Sequence, residues 1–195
     1  MTENFQLYAD ALGKSEQAEQ LLQDYQDQVQ QLQQTLENPQ DLTISVIAIA
    51  NERIGTYTAG SFSGVILNDI GFARNSFQAA TWRYGLPLSR ESLDQLDGDY
   101  IFLIYSSYSG FEPNEVRRTT SKPLLAKIVA YLTRSENAIY LGGNTKKDFI
   151  TDPIWSQLEA VNQDHVCEVA GEIWAAGRSI LAAQQILVDV EECLK

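Results

Sequence analysis

Histidine, methionine, cysteine and proline are all scarce in this 195-residue chain, which has one, one, two and five of them. With so few nitrogen and sulfur ligands there is neither an HExxH pattern nor a paired-cysteine zinc spacing. The lone His165 falls inside a predicted strand, where a hydrogen-bonded structural role is the ordinary outcome. Cys167 and Cys193 lie far apart in no metal-binding spacing. Free core thiols and a disulfide both remain open, and the redox compartment is undecided. Basic residues are also few, 14 against 26 acidic ones, for a formal charge of −12. Such a surface repels phosphate backbones and anionic lipid, which argues against nucleic-acid and membrane-surface partners. No apolar run approaches the roughly 20 residues needed to span a bilayer. The start, Met1-Thr2-Glu3-Asn4, has an acid where a signal peptide would be basic and no apolar stretch after it, so no signal peptide is read there. No GxSxG elbow and no P-loop occur. The carboxylates Glu52, Asp69, Asp97 and Asp99 show no spacing that demands an acid–base pair.

What is present is an ordinary globular composition, 44% hydrophobic and 21% charged, enough for one well-buried core. The first forty residues are Gln-rich and helical in pattern. Phe5, Tyr8 and Leu12 make a short face ending at Gly13. After Ser15, the positions Ala18, Leu22, Tyr25, Val29, Leu32 and Leu36 form one apolar stripe along a helix of about 35 Å, stopped by Asn38-Pro39. From Asp41 onward strands and helices alternate. Predicted strands are 42–49, 100–105, 138–141 and 165–169. Predicted helices are 62–70 (closed by Gly71), a short one from Ser89 to Leu96, 121–133, 154–161 and 177–194. Alternation of this kind implies parallel pairing through right-handed crossovers. The expected fold is a three-layer α/β lobe with a mostly parallel sheet of about four or five strands. Residues 1–40 would be a helical segment and residues 41–195 the lobe.

Aromatic residues gather in predicted loops and at strand ends: Tyr57, Trp82, Tyr84, Tyr105, Tyr108, Phe111 and Trp174. Ligands of open α/β sheets collect beyond the carboxyl ends of the strands, where Tyr105-Ser106-Ser107-Tyr108-Ser109-Gly110 is predicted to lie. Flat side chains with polar tips suit a large organic ligand with polar edges. Gly60-Ser61-Phe62-Ser63-Gly64 opens a helix and reads best as its N-cap.

Several stretches, in order, resemble one family. Ile44-Ser45-Val46-Ile47, Tyr57 and Ser61 through Arg74 are similar to the opening of the C-terminal lobe of siderophore-binding proteins of ABC importers. Leu88 through Phe102, Pro153-Ile154-Trp155 with Leu158-Glu159-Ala160-Val161, and Trp174 with Gly177 through Leu187 resemble its later parts. Leu12-Gly13-Lys14 with Ala18, Leu22 and Tyr25 is similar to the start of the helix joining its two lobes. The resemblance implies a C-terminal lobe whose N-terminal partner is absent, an extracytoplasmic location, a ferric siderophore as ligand and an ABC permease as partner. It implies no catalysis, no cofactor and no protein-bound metal, since the ligand itself chelates the iron. Arg53, Tyr57, Trp82, Tyr105, Tyr108 and Trp174 would face the cleft, and Glu91 in Ser89-Arg90-Glu91 would meet the permease. The family's arginine near the end of the first strand is missing from Ala48-Ile49-Ala50-Asn51. Arg53 is the nearest substitute, and a ligand held mainly by aromatics fits better than a carboxylate siderophore. Two other classes are compatible with the sequence: a small α/β enzyme using His165, and a module that self-associates through the long helix.

Overall fold

The apolar run after Asp41 becomes the middle of a sheet, flanked by hydrogen-bonded neighbours on both sides. The computed structural model describes residues 2–50, 53–81, 85–105 and 149–195. Among these, five strands run in the order β3-β2-β1-β4-β5, with β1 Ile44–Ala50, β2 Arg53–Tyr57, β3 Gly85–Leu88, β4 Tyr100–Tyr105 and β5 Val166–Ala170. β1 pairs parallel with β4, and β4 with β5, while β1–β2 and β2–β3 are antiparallel. Four of the five strands therefore point the same way, and only β2 runs against them. This is the expected α/β lobe. Its β2–β3 extension, Arg53–Tyr57 and Gly85–Leu88, lies outside the predicted strands. The predicted strand 138–141 and helix 121–133 lie outside the described residues.

Alternation along β1 and β4 divides the core in two. Ile44, Val46, Ala48, Phe102 and Ile104 face one side, against helices α2 (Ser15–Thr35), α3 (Phe62–Ile70) and α6 (Ile180–Cys193). Ile47, Ile49, Ile101 and Leu103 face the other. There they meet Leu93 and Leu96 of the 3-10 segment Arg90–Leu96, and Trp155, Leu158 and Ala160 of the turn Trp155–Gln157 and helix α4 (Glu159–Asn162). A strand with both faces covered must be apolar at nearly every position, which is why β1 carries no polar alternation.

The stripe on α2 is buried as expected through Ala18, Tyr25, Val29 and Leu32. Tyr25 also donates a hydrogen bond to Asp69 of α3 at 2.8 Å, and Gln33 Nε2 reaches the Asp69 carbonyl at 2.9 Å. These tie the long helix to the lobe. Burial, and next the adjacent carboxylate, push the Tyr25 phenol above its ordinary pKa. Helix α1 (Thr2–Ala11) ends before Gly13, whose φ of 66° lies in the left-handed region. It buries Ala9 and packs Phe5 against the first core but leaves Tyr8 and Leu12 exposed, so the predicted Phe5–Tyr8–Leu12 face is packed only at Phe5.

Two other helix readings are corrected. The predicted helix 154–161 breaks at Leu158, whose ψ of 139° is extended, leaving the 3-10 turn and the short α4. The closing helix starts at Ile180 rather than 177, with Ser179 as N-cap accepting from Ala182 N at 3.2 Å. Residues Gly171–Trp174 form a separate short helix, α5. The Ser61 cap of α3 is as read, accepting from Gly64 N at 3.0 Å, and Gly71 closes the helix with φ of 101°. A side chain at position 64 would collide with the Thr58 carbonyl, which packs against the start of the helix.

Candidate functional site

Three parallel strands end together. Register pairs Ala48 with Ile104, Tyr105 with Ala170, and Ala50 with Arg53. The backbones of Ala50, Arg53, Tyr105 and Ala170 thus share one edge of the sheet, the carboxyl edge where α/β sheets hold ligands. Leu88 pairs with Ile54, so the 3-10 segment bearing Glu91 leaves the sheet near the same edge. Glu91 is exposed in the first turn of that segment, whose Leu93 and Leu96 are buried anchors. Ser89 precedes it without a side-chain capping bond.

The predicted site residues separate into three groups. Arg53 and Tyr105 lie on the carboxyl edge by backbone position. Trp82 and Tyr108 lie outside the described residues. Tyr57 and Trp174 lie elsewhere. Tyr57 sits four positions along β2 from Arg53, roughly 13 Å toward the opposite edge. It is half-buried against the first core, and its carbonyl accepts from Arg74 Nη2 at 2.7 Å. Trp174, expected on the cleft face, is fully buried. Its ring stacks on Phe102 at 4.6 Å, and its Nε1 donates to Asp189 of α6 at 2.7 Å. An indole with its one donor satisfied inside the core is a packing residue that supports β4 from below.

His165 lies just before β5, at the amino edge, away from Tyr105 and Ala170. Its ring stacks on Tyr100 at 4.3 Å, and Nδ1 is 2.9 Å from the Asp99 carbonyl. It takes the structural role read from the sequence and does not reach the carboxyl edge. Among the described residues no three His, Cys, Asp or Glu side chains are placed to hold a metal ion. No helix among them is long and apolar enough to cross a membrane.

Two features escaped the sequence. The first is a buried polar cluster in the turn after α3. Gln78, fully buried, accepts from Val46 N at 3.1 Å and donates to Ser45 Oγ at 2.8 Å and to Thr56 Oγ1. It occupies the stretch beside β1 beyond the first β2 pair, Ile47 with Thr56, and so continues the ladder with a side chain. Arg74 Nη2 donates to the same Gln78 oxygen. Among the described residues, Arg74 Nε and Nη1 are shut off from solvent with no partner, and burial lowers the pKa of this guanidinium to about 10. A single Gln and Arg in a polar loop carry no sequence signal of this. The second feature is a disulfide joining Cys167 of β5 to Cys193 of α6, with Cα atoms 5.9 Å apart. It closes the alternative of free thiols, and bonds of this kind persist in oxidising compartments.

A family model described as "Periplasmic binding protein" matches residues 1–172. The "Probable siderophore-binding lipoprotein YfiY" of Bacillus subtilis (strain 168) is 23% identical over 195 residues, covering 97% of this chain and 51% of that protein. The "Achromobactin-binding periplasmic protein" of Dickeya dadantii (strain 3937) is 28% identical over 190 residues, covering 95% and 52%. The chain therefore spans about half the length of the curated relatives it matches. Among solved structures, Staphylococcus aureus SirA superposes with a TM-score of 0.72 at 24% identity, covering 100% of this chain and 64% of that one. SirA complexed with staphyloferrin B gives 0.71 at 24% identity, covering 99% and 60%. These structural likenesses bear on the fold.

Proposed function

From the premise that this chain belongs to the periplasmic binding protein family, we propose that it is a ligand-binding lobe of an ABC importer's extracytoplasmic substrate-binding protein, with a ferric siderophore as ligand. The observation that carries the reading is the shared carboxyl edge, where the backbones of Arg53 in β2 and Tyr105 in β4 flank the end of β1. In this reading Arg53 meets an anionic or polar part of the chelate, and Tyr105, Tyr108 and Trp82 supply flat surfaces. Tyr57 and Trp174 act from beneath as supports. Iron stays within its organic chelator, so the lobe needs no metal ligands of its own. Helix α2 is the stiff element that joins this lobe to a second one, and Glu91 faces arginines of the permease. The relatives' printed names, one siderophore-binding and one achromobactin-binding, support the ligand class. The disulfide supports an extracytoplasmic location.

The test is a tryptophan fluorescence titration with a panel of ferric siderophores, with cobalamin as a comparison. One face of a cleft supplies only part of the contacts, so binding on the order of tens of micromolar or weaker is expected. Arg53→Ala and Tyr105→Ala should weaken binding without loss of fold. Glu91→Lys should leave binding intact and abolish uptake in a transport assay. No saturable quenching by any panel member up to about 1 mM ligand would refute the reading.

A further inference from the structure

We propose that the Cys167–Cys193 bond is a thiol–disulfide exchange site, reducible in the native fold, that favours reductants whose reacting end is cationic or neutral. Three observations converge on it. First, both cysteines are only half-buried, and both line an open groove of about 490 Å³ between β5 and α6. A thiolate must approach a disulfide sulfur from outside, and such a groove has room for one. Second, Cys193 is the last residue of α6, three positions past the last buried residue of that helix, Val190. Opening the bond therefore moves chiefly the final turn, whose Cys193 and Leu194 are only partly buried against the core, and helix ends fray readily. Third, Asp189 and Glu192 of α6 give the groove an acidic wall, no cationic side chain among the described residues lines it, and the Lys195 ammonium is held by Glu191 at 3.1 Å. An anionic reagent is repelled on approach and a cationic one drawn in.

The exchange balances without a cofactor. A thiolate of an external dithiol attacks one sulfur, forming a mixed disulfide and releasing the other cysteine as thiolate. The second thiol of the reductant then displaces the first cysteine. Two electrons and two protons pass from the dithiol to Cys167 and Cys193, and the reductant leaves as its own disulfide. The product has a free final turn of α6 beside β5, which is the outer strand of the sheet among the described residues. This inference is independent of the ligand reading.

The oxidised 195-residue chain is exposed to dithiothreitol in a urea series held below the unfolding transition, quenched with a maleimide polymer and scored by gel shift. The expected result is a measurable rate in the absence of urea that stays flat across the series. A rate that rises exponentially with urea and extrapolates to global unfolding would overturn the proposal, because the bond would then be an inaccessible staple. In a second arm, cysteamine should reduce the bond roughly fivefold faster than mercaptoethanesulfonate at low ionic strength, after correction for their intrinsic reactivity. The difference should vanish at about 0.5 M salt and narrow in Glu192→Lys. Equal corrected rates at low salt would overturn the charge preference.

Discussion

Replacing Gln78 by leucine should destabilise the lobe by about 3–4 kcal/mol, although the new side chain is apolar and similar in size. Gln78 is fully buried, and its amide satisfies groups that have no water to turn to. Without it the Val46 N–H, now bonded at 3.1 Å, loses its acceptor inside the sheet, a cost of about 2 kcal/mol. Ser45 Oγ loses its 2.8 Å donor and retains only Asn75 Nδ2 at 3.5 Å, a further loss of about 1 kcal/mol. Arg74 loses one of its two acceptors among the described residues, worth about 1.5 kcal/mol for a charged donor, and keeps the Tyr57 carbonyl at 2.7 Å. Added leucine burial offsets about 1 kcal/mol of the sum. Urea unfolding followed by circular dichroism should show the midpoint fall with an unchanged slope. Gln78→Glu should be less damaging at neutral pH, because its carboxylate would neutralise the solvent-excluded guanidinium of Arg74. A Leu variant within about 1 kcal/mol of the parent, or a Glu variant worse than Leu, would show that the network is dispensable.

Removing the disulfide in Cys167→Ser/Cys193→Ser should cost about 3.5 kcal/mol from the 26-residue loop it closes. That is about 7–14 °C in calorimetric Tm for a chain of this size, and a loss under 1 kcal/mol would contradict the loop-closure account. Tyr25→Phe should cost about 1 kcal/mol through the lost bond to Asp69. Its pH signature has a definite sign: the folded pKa is raised above the ordinary 10.0, so the contribution is intact below pH 10 and lost as pH rises further. The stability difference between parent and Tyr25→Phe should therefore shrink above pH 10, and a difference that grows there would refute the assignment. Trp174→Phe should lower stability by about 2–3 kcal/mol through the lost Asp189 bond and core volume. It should leave siderophore affinity of the folded protein unchanged, whereas a loss of affinity at constant stability would return Trp174 to the cleft.

The candidate site was legible in part. Tyr105 follows from the strand-end argument and Arg53 from the resemblance, as the nearest substitute for the family's arginine, and their backbones share the carboxyl edge. Trp174 misled because an aromatic after a short strand looks like a loop residue until α6 is packed over it. Tyr57 misled because β2 was not recognised. A five-residue strand, Arg53–Tyr57, with a glycine inside it has no periodicity to detect. Once β2 turns back along β1, a residue four positions on is carried toward the opposite edge.

By itself the sequence determined the strongly periodic elements: the stripe of α2, the doubly buried β1 and β4, and the capped α3 with its closing glycine. These depend on local preferences and on which faces are apolar, and both are written in consecutive residues. Tertiary structure alone decided the rest. It joined Cys167 to Cys193 across 26 positions, recruited Gln78 to complete a strand ladder, and buried the Trp174 indole beneath the sheet. Each of these depends on a partner distant in the chain, and chain spacing carries no record of which distant groups the fold will bring within bonding distance.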